Sequence, residues 1–270
     1  MDSVSQTVVV KKLEGHPITI ITINRPDARN AVDRKTAQCL YDAFIAFEND
    51  ANQKICVFAG AGGTFCAGAD LKAFAREAEN EPWNELPAVQ GRNLAPMGPL
   101  RLQVKKPVIA AVSGYAVAGG LELSLLADLR VVERDAVFGV FCRRWGVPLI
   151  DGGTVRLQAV VGYGRAMDMI LTGRPVNADE ALAMGLANRV VEKGTATEAA
   201  IALARDLLKF PYACMLADRA SVAYSAFSAS SFEDAMANEF NGGAPVLREA
   251  SKGAARFSAG AGRHGDYGKL

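Results

Sequence analysis

The sequence has very little histidine, no cysteine pair at metal or redox spacing, no excess of either charge and no long apolar run. Its two histidines are His16, in a predicted turn, and His264, near the end of the chain. A Ser-His-Asp triad needs a well-placed imidazole, and neither residue offers one. No G-x-S-x-G, H-E-x-x-H or P-loop pattern occurs, and there is no His/Cys cluster for zinc. The five cysteines, Cys39, Cys56, Cys66, Cys142 and Cys214, form no C-x-x-C pair. Unpaired thiols of this kind point to a reducing compartment, the cytoplasm. Thirty basic against 29 acidic residues leave a net charge of +1. Such a balance builds no field to gather nucleic acid or an anionic membrane. No apolar run reaches the roughly 18 residues of a membrane span, and the start MDSVSQTVVVKKLEG carries no basic-then-apolar signal pattern. One G-x-G-x-x-G match, Gly260 to Gly265, lies too near the C-terminus for the strand and helix a dinucleotide site requires; it reads as tail.

What is present is a chain of 270 residues, half of them hydrophobic. That is enough for one large domain, or a domain with a small appendage. Residues 7–13 and 18–24 read as strands joined by a turn at 14–17. Asp33 opens a helix to about residue 48, with Leu40, Phe44 and Phe47 at helical spacing. Short apolar strands are predicted at 55–60, 107–113 and 129–133, with a helix over 119–127. The alternation implies largely parallel strands with helices outside. Residues 74–98 are polar and broken by prolines, and read as a mobile helix-loop segment over a site. From Asp151 onward helical patterns dominate, apart from a short strand at 188–191. Helices are expected near 195–208, 212–225, 231–240 and 246–257. The shift in composition near Phe210–Pro211 suggests a core over 1–210 and a helical subdomain over 211–270.

Two glycine-rich loops, each after a buried strand, are the candidate chemistry. One runs from Gly63 through Cys66-Ala67-Gly68-Ala69-Asp70 to Leu71; the other runs from Ser113 through Gly119-Gly120 to Glu122. Glycine lets backbone approach a ligand closely, and the first N–H groups of a helix have no intrahelical partner. Such amides suit a developing oxyanion. The pair Gly119-Gly120 alone is better explained by tight packing of a helix on a strand; two such loops at the ends of neighbouring strands point to a site.

These loops, read with Ile21-Thr-Ile-Asn-Arg-Pro26, Ala28-Arg-Asn30-Ala31, Lys106-Pro-Val-Ile-Ala-Ala-Val112, Gly152-Gly-Thr154 and Leu171-Thr-Gly173, resemble the enoyl-CoA hydratase/isomerase (crotonase) family over almost the whole chain. The resemblance implies the α/β crotonase-like (ClpP/crotonase) fold, a superhelix of repeated strand-strand-helix turns ending in helices. It implies an acyl-CoA enzyme that stabilises a thioester enolate, most simply by hydratase-type lyase chemistry. Other enolate chemistry, such as isomerisation, and non-catalytic acyl-CoA binding stand as alternatives. Carried across, the oxyanion amides belong to Ala69 and Gly119. Ala67, Gly68, Asp70 and Leu71 would flank the coenzyme A portion, with Arg25 and Lys72 as phosphate contacts or ordinary solvated surface. Coenzyme A enters as part of the substrate, with no resident cofactor. The family implies trimers or dimers of trimers, with C-terminal helices against a neighbour and Phe257, Arg263 and the tail able to reach its site.

Glu122 is the one charged residue between Gly114 and Asp128. A carboxylate among leucines needs a partner or a task. The resemblance gives it catalytic acid/base work; a favoured N3 position after a Gly119 N-cap is the other explanation. The family's second glutamate would fall at Cys142, a poor carboxylate substitute that lines the substrate either as a nucleophile or as a buried inert thiol. Asp151 is the candidate replacement, or else the N-cap of a helix over 152–160. Arg143 and Arg144 are expected either to pair with these carboxylates or to be exposed. Trp83, Phe141 and Trp145 are candidates for shaping an acyl pocket.

Overall fold

The computed structural model describes residues 6–78 and 86–260. Trp83, Arg263, His264 and most of the 260–265 glycine motif lie outside the described residues, as does part of the 74–98 segment.

A turn with Gly15 at φ 72° joins β1 (Val8–Lys12) to the antiparallel β2 (Ile18–Ile23). The helix α1 (Arg34–Asn49) follows, with the Asp33 carboxylate accepting from the Thr36 amide at 2.8 Å. Its Leu40, Phe44 and Phe47 are buried, as their helical spacing requires. β3 (Ile55–Gly60) and β4 (Val108–Val112) are buried on both faces, the pattern of interior parallel strands. Phe44, Phe58 and Phe65 stack edge to face with centroids 5.2 Å apart in each pair, clamping α1 and the 61–70 loop onto β3. α2 (Leu71–Ala78) follows that loop.

Beyond β4 the chain turns at Gly114, φ 54°, where a side chain would collide with the Gly63 carbonyl at 2.4 Å. It then forms β5 (Tyr115–Val117) and α3 (Gly119–Ser124). The helix is shorter than expected. The buried Arg130 guanidinium donates to the carbonyls of Ser124 and Ala127, satisfying the acceptors its end exposes. Next come β6 (Leu129–Glu133), β7 (Val137–Gly139), a 3-10 turn at Phe141–Trp145, α4 (Gly153–Val161), α5 (Tyr163–Thr172), β8 (Val176–Asn177), α6 (Ala178–Ala183) and β9 (Arg189–Val191).

The main sheet has the order β1-β2-β3-β4-β6-β9, parallel except at β1. A second sheet, β5-β7-β8, was not expected from sequence: strands of two or three residues are too short for an alternation signal. The 61–70 loop is bridged to Val32 through Ala69 and to Ala116 of the second sheet through Cys66.

The chain resolves into two compact units, Met1–Ala204 and Arg205–Leu270, the divide falling within α7 (Ala196–Leu207). In the second unit α8 (Tyr212–Phe227) packs with α9 (Phe232–Gly243), and α10 (Leu247–Ser258) follows. Phe232, Phe240 and Leu247 stand exposed on these helices.

Candidate active site

A cavity of about 300 Å³ opens where α3 leaves the second sheet. One wall is main chain. The Cys66 amide donates to the Tyr115 carbonyl, and the Val117 amide returns a bond to Cys66. On the loop's other edge, the Val32 amide donates to Gly68 and the Asp70 amide to Val32. This parallel bridge uses the neighbours of Ala69 and leaves the Ala69 amide outside the ladder. Gly119 is the first residue of α3, so its amide has no acceptor four residues back. Among the described hydrogen bonds, neither amide has a protein acceptor.

Close packing sets Gly68, the residue before Ala69, against the start of α3. Gly68 has φ +98°, and a Cβ there would stand 3.0 Å from Ala118 Cβ and 3.1 Å from the Gly119 nitrogen. Ala69 and Gly119 line the same cavity. The second glycine is a packing residue, because a Cβ on Gly120 would lie 2.0 Å from the Cys66 carbonyl oxygen. The packing reading of the Gly119-Gly120 pair thus applies to Gly120. The N-cap of α3 is Ala118 at φ 53°, not Gly119. Glu122 is therefore not at the N3 position that would have explained it as a capping-box acid.

The opposite wall is built from side chains. Glu122 is 3 % exposed, and its Oε1 accepts from the amides of Asp151 at 3.0 Å and Gly153 at 2.8 Å. A Cβ on Gly153 would stand 2.9 Å from that oxygen, so only glycine leaves room for the contact. Asp151 is 4 % exposed, and its Oδ1 has no hydrogen-bond partner among the described residues. Asp151 does not cap α4; that place is held by Gly152 at φ 89°, with no side-chain bond. Burial lifts the Asp151 carboxyl to about 6. Burial, with the added charge of Asp151, lifts Glu122 to about 7. Between about pH 6 and pH 7 the pair therefore holds roughly one proton.

Cys142 lines the cavity from the 3-10 turn, and burial together with Glu122 pushes its thiol above the usual range. It is a neutral wall group rather than a second carboxylate. Phe141 and Trp145 also line the cavity, with Val147, Pro148 and Ile150. Arg143 and Arg144 do not pair with the carboxylates, contrary to one expectation. Arg143 donates to the Ile170 carbonyl at 3.1 Å, and the Arg144 guanidinium lies 4.0 Å from the centre of the Phe141 ring. The cation that acts on both carboxylates is Arg156, which nothing in the sequence distinguished from an ordinary helix-surface arginine.

Ala67, Asp70 and Leu71 line the mouth; Arg25, Gly68 and Lys72 do not. The Arg25 guanidinium is held by Asp70 at 2.9 Å, Asp33 at 3.1 Å and the Ala31 carbonyl, and so braces the loop. Burial works against the Asp70 carboxylate, but the Ala73 amide and Arg25 hold it below the usual range. Lys72 is exposed at the start of α2.

Residues 14–239 match the family model described as enoyl-CoA hydratase/isomerase. An enoyl-CoA hydratase of Mycobacterium tuberculosis, EchA19, is 39% identical over 197 residues, which are 70% of each chain. A carnitinyl-CoA dehydratase of Salmonella arizonae is 38% identical over 198 residues, 72% of each. A crystal structure of an enoyl-CoA hydratase from Mycobacterium tuberculosis superposes with a TM-score of 0.82 at 38% identity, covering 94% of this chain and 96% of that one.

Proposed function

Because the chain belongs to the enoyl-CoA hydratase/isomerase family and has its crotonase-like α/β fold, we propose that it is a hydro-lyase that adds water across the double bond of an enoyl-CoA thioester. The observation that carries this reading is the pairing of two walls on one cavity: acceptor-free amides at Ala69 and Gly119, and a buried carboxyl pair at Glu122 and Asp151.

The chemistry follows from that pairing. The thioester oxygen accepts from the Ala69 and Gly119 amides. Addition of water oxygen to the β-carbon breaks the carbon–carbon π bond and moves its electrons onto that oxygen. Each amide aimed at the developing charge contributes on the order of 3 kcal/mol. The carboxylate of the pair takes the proton from water, and the carboxylic acid gives its own to the α-carbon. Glu122 handles proton or water and Asp151 assists. Glu122 near 7 and Asp151 near 6 supply one acid and one base at the same pH. Ala67, Asp70 and Leu71 at the mouth would flank the coenzyme A portion, and the apolar Phe141, Trp145, Val147 and Ile150 would receive the acyl group. Coenzyme A is substrate here, and no resident cofactor is invoked.

Double-bond isomerisation is the second reading. It is favoured by the neutral thiol of Cys142 where a second family glutamate would fall, because moving a proton between the α- and γ-carbons needs only one carboxyl to carry it. Incubation with crotonyl-CoA and longer enoyl thioesters, with identification of products, tests both. Hydroxyacyl product upholds the first reading; shifted double bonds with no hydration replace it with the second. Turnover of no enoyl thioester removes both.

Among the described residues no helix is long and apolar enough to cross a membrane. The free cysteines fit a cytoplasmic setting. The exposed Phe232, Phe240 and Leu247 support a trimer or a dimer of trimers, which light scattering of the purified chain would check.

A further inference from the structure

Arg156 belongs to the first turn of α4, its amide donating to the Gly152 carbonyl at 2.8 Å. The side chain does not extend into solvent. One guanidinium nitrogen, Nη2, donates to the carbonyls of Leu100 at 2.9 Å and Leu102 at 3.3 Å. The other, Nη1, lies 2.6 Å from the point where a Cβ on Gly152 would stand. The guanidinium is thus wedged against the backbone of Gly152. That residue sits between Asp151 and Gly153, whose amides both hold Glu122 Oε1. Glycine at 152 is what makes room for it.

We infer that Arg156 is a positioning residue for the carboxyl pair: it locks the 151–153 loop to the 100–102 segment and holds a permanent positive charge against that loop, which favours the ionised form of Glu122 and Asp151. The inference rests on the reading of these two carboxyls as the proton-handling groups.

Asp33, Arg34 and Asp70 line the same cavity, and the charged and titratable groups that act on the pair itself are few among the described residues. α3 contributes Glu122 itself, and the 3-10 turn at Phe141–Trp145 contributes Cys142. The turn Pro99–Arg101 contributes Arg101, which acts on Asp151 and is tied to the carbonyls of Pro87 and Leu94 and to Asn93. Arg156 alone of these opposes the charge of both carboxylates. An arginine is charged throughout the working range, so its effect is a constant bias that does not titrate.

The test separates charge from scaffolding in the full-length chain. Arg156→Gln keeps an amide donor for the Leu100 and Leu102 carbonyls and deletes the charge. Arg156→Lys keeps the charge and loses the fork. Gly152→Ala crowds the guanidinium without deleting it, and at φ 89° also strains the 151–153 loop. Carboxyl-¹³C NMR of Asp- and Glu-labelled protein gives the titration of the pair directly, and kcat/KM for crotonyl-CoA hydration is followed against pH. Arg156→Gln is expected to move both titrations upward by about one pH unit or more, carrying the acid limb of the rate profile with them. Arg156→Lys is expected to restore the limb even where kcat stays low, and Gly152→Ala to shift it in the same direction as Gln. Unmoved titrations in both Arg156→Gln and Gly152→Ala, with only the rate reduced, would overturn the inference. A lysine variant as displaced as the glutamine one would do so too. If the titrations move but wild type hydrates nothing, the charge-setting role stands and the hydratase reading falls; if hydration is seen and the titrations stay, the reverse holds.

Discussion

The wall that carries Ala69 and Gly119 is made of main chain, and the wall that carries Glu122 and Asp151 is made of side chains. The first depends on where backbone runs, so its chemistry is blind to the side chain at 69 and acutely sensitive to any Cβ at 68 or 120, where atoms stand 2.0 to 3.2 Å away. The second depends on charge held out of water, so it tolerates isosteric change in shape and responds to loss of one proton site. Geometry is the currency of one and ionisation that of the other.

The sharpest way to break this contrast is Glu122→Gln. The amide oxygen can still accept from Asp151 and Gly153, so the fold and thioester binding should survive. Crotonyl-CoA hydration should fall by about 10²- to 10⁴-fold in kcat, with KM little changed. Comparable loss from a neutral change on the amide wall would mean that the two walls do not divide the work.

The same substitution sharpens the comparison through stability. The folded-state carboxyl of Glu122 is raised from an ordinary 4.5 to about 7. Between those values the folded chain holds a proton that the unfolded chain releases, so stability drains away as pH rises through the window. Glu122→Gln should therefore unfold at higher denaturant than wild type at pH 8, by on the order of 3 kcal/mol. The gain should vanish below pH 4.5. A variant less stable than wild type at pH 8 would contradict the burial argument.

For the main-chain wall, Gly120→Ala places a methyl 2.0 Å from the Cys66 carbonyl. Overpacking should cost about 1–3 kcal/mol in a denaturant melt and lower hydration at every pH equally, with no displacement of the profile. The smallest effect expected is that of Ala69→Ser, which keeps the amide; kcat should stay within about threefold of wild type, since the donor is backbone. A large loss there would show that the side chain at 69 does more than fill space.

Much of the frame was legible beforehand, and the reason differs from element to element. β3 and β4 announce themselves as unbroken apolar runs, and α1 by the spacing of Leu40, Phe44 and Phe47. β5, β7 and β8 have two or three residues each and give no periodic signal. They nevertheless anchor the site. Glu122 stood out as a lone charge among leucines. Asp151 could not be separated from a helix cap until the chain showed Gly152 in that place. Arg156 carries no sequence signal, because an arginine in a helix says nothing about folding back onto its own first turn, while Arg143 and Arg144, unusual in their loop, serve Ile170 and Phe141. Sequence marks residues that are unusual for their neighbourhood; it does not mark ordinary residues that tertiary structure puts to unusual use.

The loop of Ala69 is stitched to Val32 along one edge and to Ala116 along the other, and the buried Asn30 side chain ties it down by donating to the carbonyls of Ala61 and Thr64. A lesion at Asn30 would then imitate an active-site defect: a chain that still folds and melts cooperatively, yet whose oxygen-binding edge has come loose from a point almost forty positions upstream.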